Sequence, residues 1–380
     1  MKELKRVMIS GGGTGGHIFP ALSIANEIRR RYPKCEILFV GAHGRMEADK
    51  VPAAGYEILL LPVEGFPTSK NPLKIARTLW KLMKSMRQVK KEIKRFQPQI
   101  AIGVGGYASA PTLLAAQQLG IPTLVQEQNS YAGKTNKLVG KKADAICVAY
   151  KGMEAFFPKG KRIILLGNPI RQTLTTVAPK EPKAYEYFGF DPSKQTLLIV
   201  GGSLGARSIN EGVSAGLPEL LARSADLQVI WQCGSSYIEA AQKILASMGD
   251  PSKQQHIFLT DFISHMEYAY SIADLVVSRA GASSISELCI LGLPTLLVPS
   301  PNVTADHQTK NAMALVREGA SVMIEDKEAR TGLIPAALKL LDAPEQLREL
   351  KKQIKTLALP DSARLIVDEV ERVVEEHNKQ

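Results

Sequence analysis

The sequence predicts an α/β protein of two Rossmann-like domains, with parallel sheets facing a central cleft. Three observations predict it. At 380 residues the chain is longer than one hydrophobic core usually supports. Short apolar runs alternate with helically spaced segments, the pattern of βαβ units and parallel sheets. A strand, a glycine loop and a helix open the chain, and the same three-part unit restarts at Thr196.

The first unit is Val7-Met8-Ile9, then Ser10-Gly11-Gly12-Gly13-Thr14-Gly15-Gly16-His17, then a segment with apolar residues at 21, 22, 24, 25 and 28. A glycine loop between strand and helix lets backbone N–H groups approach a phosphate or another polar ligand, helped by the helix N-terminus. The loop is not a Walker A, because no Gly-Lys-Ser/Thr follows, and its glycines do not fit G-x-G-x-x-G cleanly. His17 stands where loop becomes helix, which suits either a capping histidine or a catalytic one.

Cys35–Gly41 and Tyr56–Pro62 read as the second and third strands. From Pro72 to Phe96, the residues Ile75, Leu79, Leu82, Met86, Val89, Ile93 and Phe96 form one helical stripe, expected to face the core. Lys74, Arg77, Lys81, Lys84, Arg87, Lys90, Lys91, Lys94 and Arg95 crowd the remaining surface, with Glu92 as the only acid. With Leu73 and Trp80 off the stripe and Phe66 just upstream, this suits an anionic lipid surface. RNA would use similar lysines but wants interleaved aromatics or a recognisable module, so no nucleic-acid partner is expected.

Ile100–Val104 is a fourth strand and ends in a second glycine loop, Gly105-Gly106-Tyr107. Thr123-Leu124-Val125 leads into Gln126-Glu127-Gln128-Asn129, polar residues at a strand's carboxyl end, where open α/β sheets bind ligands. Strands at Ala145–Val148 and Ile163–Leu166 follow, and Gly167-Asn168-Pro169-Ile170-Arg171 reads as the turn between domains. Residues 179–193 are an irregular link. The second domain restarts with Thr196–Val200 and a third glycine loop, Gly201-Gly202-Ser203-Leu204-Gly205-Ala206-Arg207. Strands at Leu227–Gln232, Ile257–Leu259 and Asp274–Ser278 continue it, the last running into Arg279-Ala280-Gly281 and a helix start at Ala282. Pro294–Pro299 is a strand before the polar loop Asp306-His307-Gln308, and the tail from Glu345 is charged helix interrupted by Pro360.

Apolar residues make up 45% and charged residues 22%, which excludes wholesale disorder. The net charge of +11 suits nucleic acid, an anionic membrane or a phosphorylated substrate. Cys35, Cys147, Cys233 and Cys289 are scattered, without a C-x-x-C pair, and read as core residues of a reducing compartment. No apolar run approaches the ~18 residues of a membrane span, and no signal peptide precedes the first strand. A cytoplasmic protein is expected, with any membrane contact peripheral.

The glycine-loop motif with Pro20-Ala21-Leu22, then Gly105-Gly106-Tyr107, Glu127-Gln128-Asn129, Gly167-Asn168-Pro169 with Arg171, Gly201-Gly202-Ser203 with Gly205-Ala206-Arg207, and Arg279-Ala280-Gly281 ending in Ser286-Glu287, resemble the MurG family of cell-wall N-acetylglucosaminyltransferases. The resemblance runs in order over nearly the whole chain. It implies a GT-B fold, with residues 1–170 as the acceptor and membrane domain, 171–357 as the UDP-GlcNAc domain, and the last helix, about 358–380, packing back on the first. It implies inverting transfer of N-acetylglucosamine from UDP-GlcNAc to undecaprenyl-diphospho-N-acetylmuramoyl-pentapeptide (lipid I), giving lipid II at the cytoplasmic membrane face.

Carried over residue by residue, the resemblance puts Arg171 and Ser203 near the diphosphate and Ile263 at the uracil. Ala282, Ser283, Ser284, Ile285, Ser286 and Glu287 surround phosphate and ribose, with Gln308 at the sugar. Thr14, Gly15, Gly16 and Asn129 reach the donor sugar, while His17, Tyr107 and Glu127 face the acceptor. No cofactor is implied. No Asp-x-Asp occurs in the chain, so no metal is expected, and helix dipoles, loop amides and Arg171 are left to neutralise the departing UDP. The acceptor hydroxyl needs a base; imidazole titrates near ~6.5, which suits His17, and Glu127 is the rival. Two positions depart from the family pattern: Gln126 stands where a histidine is common, and His307-Gln308 stands where Gln-Gln is common. Two other readings fit the same residues, a related transferase acting on a diacylglycerol-type lipid and a non-catalytic nucleotide-sugar-binding protein.

Overall fold

The structure is a computed structural model that describes residues 3–65, 71–171, 174, 176–202, 204–249, 254–303 and 306–379. Phe66 and Ser203, both singled out above, lie outside the described residues. The chain divides into two compact units, Met1–Arg171 with Leu359–Gln380, and Gln172–Ala358.

The first unit begins with β1 (Arg6–Ser10), α1 (Gly15–Arg31), β2 (Glu36–Ala42), α2 (Glu47–Ala53), β3 (Glu57–Leu61) and α3 (Pro72–Phe96). It continues with β4 (Ile100–Gly103), α4 (Ser109–Gln118), β5 (Thr123–Glu127), α5 (Lys134–Val139), β6 (Ala145–Val148) and β7 (Ile163–Leu165). The strands form one parallel sheet in the order β3-β2-β1-β4-β5-β6-β7. The order reverses between β1 and β4, the switch point at which such sheets open a crevice beyond the strands' carboxyl ends.

The second unit runs α6 (Pro182–Phe188), β8 (Gln195–Val200), α7 (Arg207–Ala215), α8 (Leu217–Ala222), β9 (Leu227–Gln232), α9 (Ile238–Ser247) and β10 (Ile257–Thr260). It continues with α10 (Met266–Ile272), β11 (Leu275–Ser278), α11 (Ala282–Leu291), β12 (Thr295–Leu297), α12 (His307–Arg317), β13 (Val322–Met323), α13 (Ala329–Leu341) and α14 (Pro344–Thr356). Its parallel sheet has the order β10-β9-β8-β11-β12-β13, with the switch between β8 and β11. Helices cover both faces of such sheets, which is why Leu197, Leu198 and Ile199 are consecutive and all buried.

The last helix, α15 (Ser362–His377), belongs to the first unit. Its Ile366, Val367, Val370, Val373 and Val374 share a core with Ala21, Ile24, Ala25 and Ile28 of α1. Ion pairs reinforce the seam: Arg31 reaches Asp368 at 2.6 Å and Glu371 at 2.9 Å, and Arg162 reaches Glu369 at 2.8 Å. Among the described residues no helix is long and apolar enough to cross a membrane. All four cysteines are buried, and burial pushes the Cys35 and Cys289 thiols up to about 12, which makes them inert.

One expectation is corrected in α3. Asn71 caps the helix through Leu73 N at 2.9 Å, and Gln97 ends it in the left-handed conformation. Its stripe is buried only in the second half, at Val89 and Ile93; Ile75 is 42% and Leu79 47% exposed. Twenty-five residues rise about 37 Å, whereas a strand of four to seven residues spans only about 13 to 23 Å. The helix outruns the sheet, so its first turns have no core to cover. Leu73, Trp80 and Met83 are exposed there too, at 79%, 56% and 53%. At about 100° per residue they form one continuous face with Ile75 and Leu79.

Candidate active site

In the first unit the site lies beyond the carboxyl ends of β1, β4 and β5. Two glycine loops meet there backbone to backbone. A Cβ on Gly11 would collide with Val104, and one on Gly106 with the carbonyl of Gly12. Gly106 also has φ +85°, open to few residues but glycine. Ser109 ties the loops together, its Oγ lying 2.8 Å from both Ser10 O and Gly105 O and sharing its one proton between them. Thr14 is exposed at the N-cap of α1, with the half-buried Gly15, Gly16 and His17 beside it. Tyr107 is exposed, with its ring against Gly65.

The carboxylate of Glu47, from the first turn of α2, fills the floor of the first loop. It is buried and accepts N–H bonds from Gly13 at 2.8 Å and Ala42 at 3.0 Å. A Cβ on Gly12 would collide with it, so that glycine is there to admit an internal acid. The Gly13 amide is therefore taken, and a fixed negative charge next to it disfavours a second anion. This narrows the phosphate expectation for the loop to a neutral polar ligand such as a sugar.

Glu127 is also buried, and its carboxylate is engaged by four donors. Oε1 accepts from Asn129 N at 3.0 Å and Asn129 Nδ2 at 3.2 Å; Oε2 accepts from Gly133 N and Asn136 Nδ2, both at 2.9 Å. It organises the loop that presents Asn129, which is half-buried. Strand alternation sends its neighbours the other way. Gln128 Oε1 lies 2.9 Å from His17 Nδ1, joining residues 111 apart in sequence. Among the described residues His17 Nε2 makes no hydrogen bond. Gln126 and Asn168, both buried, back Gln128, with Gln126 Nε2 donating to Asn168 Oδ1 at 3.0 Å and Asn168 Nδ2 to Gln128 O at 3.0 Å. Arg171 is exposed at the end of this unit.

In the second unit, the third glycine loop follows β8. Gly205, with φ +80°, packs so closely on Cys233 O that a Cβ would collide. Gln232 at the end of β9 is buried and donates to Gly202 O at 2.9 Å and Asp261 O at 2.7 Å, fixing that loop against the one carrying Ile263. Ile263 itself is buried beside the exposed Phe262.

Gly281 is the extended N-cap of α11, and Ser283, Ser284, Ser286 and Glu287 are half-buried. Ala282 and Ile285 point inward, and Ile285 N bonds Gly281 O at 2.9 Å, so Ile285 has neither side chain nor amide to offer a ligand. Tyr270 Oη donates to Glu287 Oε2 at 3.0 Å. Gln308 Oε1 accepts from Ser300 N at 2.8 Å, and His307 starts α12. Arg279 is a buttress: it bonds Val298 O and Ser208 Oγ, both at 3.0 Å, and pairs with Asp326.

No local signal marks Glu47 or Gln232, whose partners Gly13, Gly202 and Asp261 lie 29 to 34 residues away, and Asn136 carries no motif that shows it turning back onto Glu127. Gln128 and His17 both lie inside motifs the sequence marks, but nothing local pairs the two.

The profile of the glycosyltransferase family 28 N-terminal domain matches residues 7–148, and that of the family 28 C-terminal domain matches residues 196–366. The UDP-N-acetylglucosamine--N-acetylmuramyl-(pentapeptide) pyrophosphoryl-undecaprenol N-acetylglucosamine transferase of Parabacteroides distasonis is 55% identical, over 97% of this chain and 98% of its own. The Bacteroides fragilis protein of the same name is 53% identical, over 98% and 96%. A crystal structure of Acinetobacter baumannii MurG matches with a TM-score of 0.78 at 28% identity, over 97% of this chain and 99% of that one. The chain belongs to the MurG family. A UDP-GlcNAc 2-epimerase from Neisseria meningitidis, TM-score 0.68 at 14% identity over 97% and 100%, shares the fold alone. Within the MurG family pattern, the departure at Gln126 places a buried amide where a histidine is common, and that amide is used to hold Gln128.

Proposed function

We infer that the protein is an inverting glycosyltransferase that moves N-acetylglucosamine from UDP-GlcNAc onto undecaprenyl-diphospho-N-acetylmuramoyl-pentapeptide, making lipid II for peptidoglycan synthesis. The observation that carries this is 53–55% identity to transferases of that name across nearly the full length of both chains.

Our assignment of roles puts the donor on the second unit. Its uracil meets the backbone at Ile263, its diphosphate meets Ser203, Arg171 and the first turn of α11 at Ala282, Ser283 and Ser284, and its ribose meets Glu287, with Ser286 alongside. Amides at a helix start offer partial positive charge to the departing UDP. Gln308 from this unit, and Thr14, Gly15, Gly16 and Asn129 from the first, recognise the sugar; the carboxylate of Glu47 under that loop favours a neutral ligand.

His17 is the base. It takes the acceptor hydroxyl's proton as that oxygen bonds the anomeric carbon and the bond to UDP breaks. Tyr107 lines the acceptor side. Glu127 is assigned to the loop and not to proton transfer, because its lone pairs are committed to four donors. The exposed apolar face of α3, ringed by Lys84, Arg87 and Lys91, is the surface we assign to the anionic membrane where the lipid acceptor resides.

The test is transfer of radiolabel from UDP-GlcNAc to a synthetic lipid-diphospho-muramoyl peptide, with diacylglycerol as a parallel acceptor. Label in the muramoyl product is expected. Label only in the diacylglycerol product, or in neither, overturns the assignment.

A further inference from the structure

We propose that Gln128 sets the tautomer of His17, so that the ring keeps its proton on Nδ1 and offers Nε2 as the basic nitrogen. This rests on the reading of His17 as the base.

The backbone fixes which way the Gln128 amide faces. Its Nε2 lies 2.7 Å from Val104 O and 3.0 Å from Gln126 O, carbonyl oxygens that can only accept. The nitrogen must face them, which leaves Oε1 as the atom 2.9 Å from His17 Nδ1. An amide oxygen has no proton to give, so Nδ1 carries the N–H and Nε2 keeps its lone pair.

Neighbouring amides prevent Gln128 from flipping. Gln126 Oε1 accepts from Gln128 Nε2, Gln126 Nε2 donates to Asn168 Oδ1, and Asn168 Nδ2 donates back to Gln128 O. Gln126, Gln128 and Asn168 are all at most 2% exposed. A flip would turn the amide nitrogen toward His17 and bring Oε1 against Val104 O and Gln126 O, leaving both carbonyl oxygens without their donor, so the orientation is held by buried bonds that are costly to break. The acceptor hydroxyl then donates to Nε2 and transfers its proton there, while its oxygen bonds the anomeric carbon and UDP leaves with the other electron pair. Gln128 touches neither substrate; it is a positioning residue.

The experiment is a long-range proton–nitrogen correlation spectrum of the full chain with 15N-labelled histidine. There are six histidines, and His17 is assigned by its disappearance in His17→Gln. At alkaline pH, wild-type His17 is expected to show protonated Nδ1 and bare Nε2. The opposite tautomer overturns the proposal. Gln128→Met keeps the length of the side chain and removes both polar ends. It is expected to move His17 toward the Nε2–H form and to lower kcat about ten- to hundredfold, with KM for UDP-GlcNAc nearly unchanged. Unchanged kcat in that variant refutes the positioning role. If Gln128→Met fails to fold, seen as loss of part of the native circular dichroism and melting transition, the wild-type spectrum alone decides. The two readings fail separately: full kcat in His17→Gln removes the base assignment, whereas an Nε2–H spectrum beside an inactive His17→Gln removes only the tautomer.

Discussion

Replacing Glu127 by glutamine separates an architectural carboxylate from a catalytic one. The substitution keeps the shape of the side chain but turns one oxygen into an NH2 group. Whichever oxygen is lost, two donors that are half-buried or buried lose their acceptor: Asn129 N and Nδ2 on one side, or Gly133 N and Asn136 Nδ2 on the other. Each unsatisfied buried donor costs about 1–3 kcal/mol, so the first unit should lose about 2–6 kcal/mol. For a unit of this size a kilocalorie shifts the midpoint by about 2–4 °C, so Tm should fall by at least about 4 °C. The assay pairs a melting curve with steady-state kinetics and includes Asn136→Ala, which leaves the carboxylate in place. If Glu127 builds the loop, both variants lower Tm and kcat together. If Glu127→Gln melts like the wild type and loses kcat by about 10²–10⁴, while Asn136→Ala is normal, the carboxylate is a base and the argument from its four donors fails.

Three further outcomes are expected. Gly106→Ala forces a Cβ against the carbonyl of Gly12 at a positive φ; melting and kinetics should show a loss of about 1–2 kcal/mol or more from backbone strain alone and lower kcat/KM, since the two glycine loops part. Neutralising Lys84, Arg87 and Lys91 should weaken co-sedimentation with anionic vesicles about a hundredfold, at ~1 kcal/mol per basic residue; Leu73, Trp80 and Met83 to serine should weaken it as well, and unchanged binding in both rejects α3 as the contact. Lys81 is left out because it pairs with Glu64. The seam to α15 should be acid-labile: burial raises the Glu369 carboxyl, but hydrogen bonds from Arg372 and Arg162 outweigh it and leave the pKa below its ordinary value. A lowered carboxylate stabilises fully above its unfolded pKa and progressively less as pH falls through the folded one, so Tm should drop below about pH 4.5, and Glu369→Gln should flatten that drop.

The sequence by itself determined the strands, the glycine loops and the order of elements. Val7-Met8-Ile9 is the middle of Arg6–Ser10, and α3 runs from Pro72 to Phe96 as its periodicity and flanking residues require. These features follow from short-range causes: alternation of apolar runs, capping chemistry at Asn71, and glycine where backbone meets backbone. The family was legible for the same reason, because its motifs are local strings in a fixed order.

What only the tertiary structure decided is which side chains are already occupied. Periodicity marks Ile75 and Ile93 as equivalent, yet one is exposed and the other buried, because coverage depends on how far the sheet extends beneath the helix. Glu127 and His17 are rival bases in the sequence; the loop from Asn129 to Asn136 folds four donors back onto the first, and strand order puts a buried amide behind the second. Glu47 enters the first glycine loop across 34 residues, and Gln128 reaches His17 across 111. Local residues decide what the backbone does, but a side chain's partners are set when distant strands pair, and that pairing is written in no single stretch of the chain.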